Sequence, residues 1–169
     1  MMNETKKNEI LARITDSRVT KIILILLLIG FLAAVYHMNS ARDVSVSRID
    51  DALRSETKIK SMQKCSSRQL MQFMGLNASH YDGFLYYRSR EALGVDEVLV
   101  VKARQKSDLS AVEDAVEDRI DNQVRTYEGY GPEQVSRLQN AVVTKRGNFL
   151  FYATAKDPSV YEEVFLHVI

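Results

Sequence analysis

Residue types able to do chemistry gather at four places in the chain. Residues 77–83, NASHYDG, bring together Ser79, His80 and Asp82, the types used in nucleophilic hydrolysis. Neighbours in sequence rarely aim at one atom, and triads assemble from distant segments. Polar residues beside a glycine ahead of a strand read first as a turn, so a weak hydrolase using Ser79 and His80 is kept only as an alternative. Asp96 and Glu97 form an acidic pair. Alternation along a strand sends them to opposite faces, which prevents a shared-proton dyad. Asp114, Glu117, Asp118 and Asp121 line one face of a helical pattern. They resemble a metal ladder, but calcium prefers a loop that wraps the ion, and Arg119 and Arg125 stand nearby to offset the charge. Neither a metal nor a cofactor is expected. Cys65, the single cysteine, has no internal disulfide partner. It reads as a small, partly buried side chain, with an intermolecular disulfide as the alternative. The chain contains no HExxH, CxxC, GxSxG or phosphate-loop pattern.

The fourth place is YEGYGPEQ, residues 127–134. Tyrosine and arginine are enriched among binding hot spots, and a conformationally special loop positions such groups. The expected binding surface is Arg119, Gln123, Tyr127, Tyr130 and Gln134. Every unusual residue here also has a structural use. Gly129 and Gly131 take positive φ at little cost, Pro132 suits the first position of a helix, and Glu133 is favoured in a first turn.

These groups need elements to hold them. Near the start, KIILILLLIGFLAAVYHM (21–38) is an apolar run whose uncharged core, 22–36, is shorter than the roughly 20 residues of a full span. Val19, Thr20 and a snorkelling Lys21 lengthen it at one end, and Tyr36, His37 and Met38 at the other. The span is placed at 19–38, with Ile22, Leu26, Gly30 and Ala34 in the anchor. A cleaved signal peptide competes with an uncleaved signal anchor. Leu32 stands where an A-x-A site would need a small residue, which favours the anchor. Gly30 and Ala34 form a small-xxx-small pair, a weak signal for a homodimer through the span. Lys6, Lys7, Arg13, Arg18 and Lys21 precede the span, against Glu4, Glu9 and Asp16. The positive-inside rule then puts the tail 1–18 in the cytoplasm and the rest outside. Of 23 basic and 22 acidic residues, 18 and 19 remain beyond the span, and that near-neutral balance argues against nucleic acid as a partner.

After the span, 39–65 reads as a juxtamembrane helix or stalk. Ile49, Ala52, Leu53 and Glu56 have helical spacing, and Ser47 with Asp50 resembles a capping box. Its basic end, Lys58, Lys60, Lys64 and Arg68, suits either solvent or anionic lipid headgroups. The domain proper, 66–169, is expected to be α+β. It comprises a short helix at 69–74, strands at 81–88 and 95–104, and an amphipathic helix on Leu109, Val112, Val116, Ile120, Val124 and Tyr127 capped by Ser107. A second helix carrying Val135 and Leu138 follows, then a hairpin of 140–144 with 148–155, then a last helix. The sheet is expected to be mostly antiparallel and covered by helices.

GFLYYRSREALGVDEVLVVKA, RIDNQVRTYEGYGPEQVSRLQNAVV and RGNFLFYA together resemble the bacterial domain-of-unknown-function family numbered 4358, from about 66 to 169. The most specific parts are Val95, Asp96 and Glu97, then Arg119 and Gln123, Tyr130 with Gln134, and Gly147, Asn148 and Phe149. The resemblance implies a small envelope protein; many members are lipid-anchored, whereas this chain carries an apolar helix instead. It implies no activity and no catalytic residue. It also implies genetic company with membrane O-acyltransferases, and so an accessory role in surface-polysaccharide acylation. The expected function is a cell-membrane-anchored extracytoplasmic interaction module without catalysis of its own. Its expected partners are the lipid bilayer and a membrane or cell-wall protein, or a surface glycan.

Overall fold

Val98, Leu99, Val100 and Val101 are wholly inaccessible to solvent, because an uninterrupted apolar strand needs cover on both faces. The computed structural model describes residues 17–169, with side chains described at 19–35 and from 40 onward. It divides into two units, 1–40 and 41–169. In the second, the strands are β1 (Gln63–Lys64), β2 (Tyr81–Arg88), β3 (Glu97–Ala103), β4 (Val142–Arg146) and β5 (Phe149–Thr154). They form one sheet in the order β1-β2-β3-β5-β4. Every pairing is antiparallel, and Leu85, Val100 and Phe151 lie in register across the middle.

In the first unit, helix α1 spans Ser17–Asn39. In the second, α2 is Val46–Glu56, α3 Ser67–Met74, α4 Leu109–Tyr127, α5 Pro132–Gln139 and α6 Ser159–Val168. One sheet face, with Leu85, Tyr87, Val98, Val100, Phe149 and Phe151, packs beneath α2 and α6. There the Phe165 ring stacks on Phe151 with centroids 5.0 Å apart. The other face, with Tyr86, Leu99, Val101, Leu150 and Tyr152, packs beneath α3 and α4. The fold is therefore α+β, as expected, and its sheet is antiparallel throughout.

The segment expected as a stalk is part of this domain. Ile49 and Leu53 on α2 are fully buried against the sheet. The helix stops at Glu56 and a 3₁₀ turn, Lys58–Ser61, follows it. Ser45, rather than Ser47, caps α2 by accepting from the Arg48 N–H at 3.4 Å. Asp50 turns inward to accept from the Tyr87 hydroxyl at 2.6 Å. Burial and that bond, opposed by Arg54, push the Tyr87 pKa up to about 12.

Other boundaries follow local chemistry. A capping box of Ser66 and Gln69 starts α3, and Gly75 at φ +67° ends it. Ser107 does not cap α4. A 3₁₀ turn, Lys106–Asp108, leads in, with Asp108 accepting from the Gln105 N–H at 3.2 Å. In the hairpin, Arg146 pairs with Phe149, leaving Gly147 and Asn148 as the turn, one residue tighter than the spacing predicts. Gly147 sits at φ +58°, and a Cβ there would lie 2.7 Å from that of Ala41. The Arg42 N–H donates to the Ile169 carbonyl at 2.9 Å, closing the domain.

All described side chains of α1, residues 19–35, are exposed, Ile22 at 57% and Leu26 at 63% among them. Gly30 and Ala34 lie on the same helix at four-residue spacing. The 17 positions whose side chains are described, 19–35, span roughly 26 Å at the helical rise, against the roughly 30 Å of a bilayer core. Among the described residues no helix is long and apolar enough to cross a membrane. The expected tail lies outside the described residues except for the first helical positions, and the side chains of Tyr36, His37 and Met38 lie outside them too.

Candidate functional site

The domain buries one carboxylate almost completely: Glu97, 1% exposed, at the head of β3. Register sets its neighbours, with Arg88 on one flanking strand and Thr154 on the other. Arg88 Nε donates to Glu97 Oε1 at 2.9 Å. From α4, Arg119 Nη2 donates to Oε1 at 2.6 Å and Nε to Oε2 at 3.3 Å, a two-pronged grip. The Arg88 guanidinium lies 3.7 Å from the centroid of the Phe73 ring, and Arg119 reaches the same ring at 5.7 Å. Burial works against the Arg119 charge, yet the bond to Glu97 and its charge outweigh burial and hold the pKa above the ordinary value.

Tyr86 and Tyr152 flank Leu99 in register on this same face. Both are fully buried. Their hydroxyls, with the Gln123 Oε1, are buried and have no hydrogen-bond partner among the described residues. Burial, then the Glu97 charge, raises both phenol pKa values. Cys65 lies alongside, its N–H donating to the Tyr86 carbonyl at 2.7 Å. Burial pushes its thiol pKa up, Arg88 opposes this, and Glu97 adds to it. The cluster therefore offers protonated phenols, a protonated thiol and a compensated carboxylate. It is suited to hold polar groups and supplies no activated nucleophile.

An open groove of about 830 Å³ runs between α3 and α4 beside this cluster, lined by Phe73, His80, Tyr81, Asp114, Asp118 and Arg119. Residues read separately in the sequence thus meet at one surface. The Ser79, His80 and Asp82 group does not assemble as a triad. Ser79 Oγ donates to Asn77 Oδ1 at 2.9 Å, and Asp82 faces Arg104 at 3.8 Å. Among the described residues no group of three His, Cys, Asp or Glu is placed to hold a metal ion. Asp96 accepts from Arg137 Nη1 at 2.9 Å, and the other prong of Arg137 takes Glu133 at 2.6 Å. The Asp96–Glu97 pair therefore points to separate partners.

The five expected binding residues divide into two sets. Arg119 and Gln123 sit one turn apart on α4; Gln123 is buried, and Arg119 is committed to Glu97. Tyr127 and Gln134 are half-buried, while Tyr130 is 62% exposed. The rings of Tyr127 and Tyr130 lie 5.6 Å apart. Gly129 takes φ +94°, as the bend requires. Gly131 does not: its φ is −123°. A Cβ there would crowd the Tyr127 ring at 3.0 Å and the movable Gln134 Oε1 at 2.9 Å, so glycine gives this helix start its room. The sequence reading missed the partnership of Arg88, Tyr86 and Tyr152 with Glu97. The available signal was parity, since Tyr86 and Arg88 share one face of β2.

Fold and site together define an antiparallel α+β domain built over a buried carboxylate–diarginine cluster. The model of the family described as domain of unknown function DUF4358 matches residues 55–155, and the chain belongs to that family. No curated protein and no solved structure matches it.

Proposed function

We propose that the chain is a membrane-anchored interaction module whose domain lies outside the cytoplasm and binds rather than catalyses. The observation that carries this reading is α1, whose described side chains are apolar apart from Thr20 and Lys21 and are all exposed to solvent. In water such a helix carries a large cost, which a bilayer removes. The five lysines and arginines up to Lys21 supply the orientation. The Glu97 cluster and the Tyr127–Tyr130 bend supply a rigid scaffold and an exposed aromatic for a membrane or cell-wall partner.

The test is topology. The full chain is expected to stay with membranes after an alkaline carbonate wash. A Ser107→Cys variant is expected to react with a membrane-impermeant maleimide on intact cells, because position 107 is exposed and Cys65 is buried. Leu27→Arg places a charge mid-helix at about 3 kcal/mol and should release part of the chain. Release of the unaltered chain by carbonate, or labelling only after lysis, would overturn the reading.

A further inference from the structure

On the α2 side of the sheet, a second concavity of about 160 Å³ is lined by Arg54, Lys60, Met62, Lys64, Tyr87 and Arg90. Its four cations come from separate places in the fold: α2, the 3₁₀ turn at Lys58–Ser61, β1 and the turn after β2. Its floor is built, because Met62 and Tyr87 are buried. Lys64 Nζ meets Asp50 Oδ2 at 2.5 Å, and the same carboxylate holds the Tyr87 hydroxyl. The other three cations lack any such compensation. Arg54, Lys60 and Arg90 have no carboxylate within ion-pair distance among the described residues, and Arg90 reaches only the Met62 carbonyl, at 3.4 Å. Elsewhere in the domain, Lys102, Arg137 and Lys145 each close on an acid. Like charges converging on one concavity repel unless a counter-charge lies between them.

We propose that this pocket binds a phosphoryl group. Four cations against the single charge of Asp50 leave an excess of three, which a phosphate carrying roughly −1.5 to −2 offsets better than a single carboxylate does. Two guanidinium forks suit its oxygens, and two ammonium groups act as point charges beside them. The volume is close to that of a cavity that holds benzene, so it admits one small group and excludes a large ring system. Lys60 and Lys64 come from the basic run noted in the sequence. Arg54 and Arg90 join them only through folding, and Lys58 of that run lies instead at another groove. The phosphoryl group is either free in solution or the head of an anionic lipid.

Calorimetric titration of the full chain in an uncharged maltoside detergent separates these sources. One arm uses inorganic phosphate, the other a short-chain phosphatidylglycerol, both at constant ionic strength. Saturable one-site binding is expected. Phosphate alone binding identifies a soluble ligand; phosphatidylglycerol binding more tightly identifies a headgroup. The double variant Lys60→Gln/Arg90→Gln should weaken binding tenfold or more, while Lys106→Gln, in the turn before α4 and not lining the pocket, should leave it unchanged. Both variants are exposed substitutions, and circular dichroism checks that each stays folded. Absence of saturable binding in both arms, or equal binding by the pocket variant, would overturn the proposal.

Discussion

Glu97 makes the greatest electrostatic demand in the domain, because a carboxylate removed from water needs its charge and lone pairs answered within the protein. Arg88 and Arg119 answer it. Arg119→Ala leaves Arg88 alone and is expected to cost about 3 kcal/mol of stability, the lower end for breaking a buried pair. Urea unfolding of the full chain, followed by circular dichroism, measures this. In a double-mutant cycle with Glu97→Gln the losses should fall short of additivity by about 1 kcal/mol or more. A loss below about 0.5 kcal/mol would assign the pair no structural role. The phenols give a second prediction. Tyr86 and Tyr152 have pKa values raised above the ordinary 10, and Tyr87 stands at about 12. A raised pKa favours the protonated form in the folded state. That stability is complete below pH 10 and is lost as pH rises above it, because the unfolded chain ionises first. Unfolding free energy should therefore fall in alkali. Ultraviolet absorbance should show these phenols ionising only as the domain unfolds, and ionisation ahead of unfolding would contradict the burial argument.

Among the elements, α2 matters most, because its role differs most from the sequence reading. Leu53→Ala removes a fully buried side chain and should cost about 3 kcal/mol. A solvated stalk would lose almost nothing, so the same unfolding assay decides between them. The reason the sequence misled here is specific. Val46, Ile49 and Leu53 are the only strongly apolar positions in an otherwise mostly polar helix, and what buries Ile49 and Leu53, the sheet together with α6, lies farther along the chain. Where the local signal was strong, it was sufficient. The aromatic strand at Tyr81–Arg88, the apolar run in β3, the period of α4 and the Gly75 stop all stand where the residues put them. The site was half legible. Arg119 and Gln123 drew notice as neighbours of the bend and through the family resemblance, but the inward direction of Arg119 follows its bonds to Glu97, whose partners are set by strand register rather than by spacing along the chain. The phosphoryl pocket was less legible still, since its four cations come from three elements and a turn.

At the scale of the whole domain, the sheet is covered on both faces, and its edges are β1 beside the end of β2 on one side and β4 on the other. β1 is two residues long, and β4 carries Lys145 and Arg146. Short and charged edges resist pairing with a second sheet. That protection is complete only when the domain is. The bond between Arg42 and the carbonyl of Ile169 joins the two ends of the domain, and α6 covers the sheet face that α2 also covers. A ribosome delivers Arg42 early and Ile169 last of these parts. If the domain crosses a bilayer as it is made, β2 and β3 emerge with one face bare and wait for the rest. Folding of this domain is therefore complete only once α6 has emerged, and a chain arrested before α6 leaves apolar sheet surface open that proteases and chaperones can recognise.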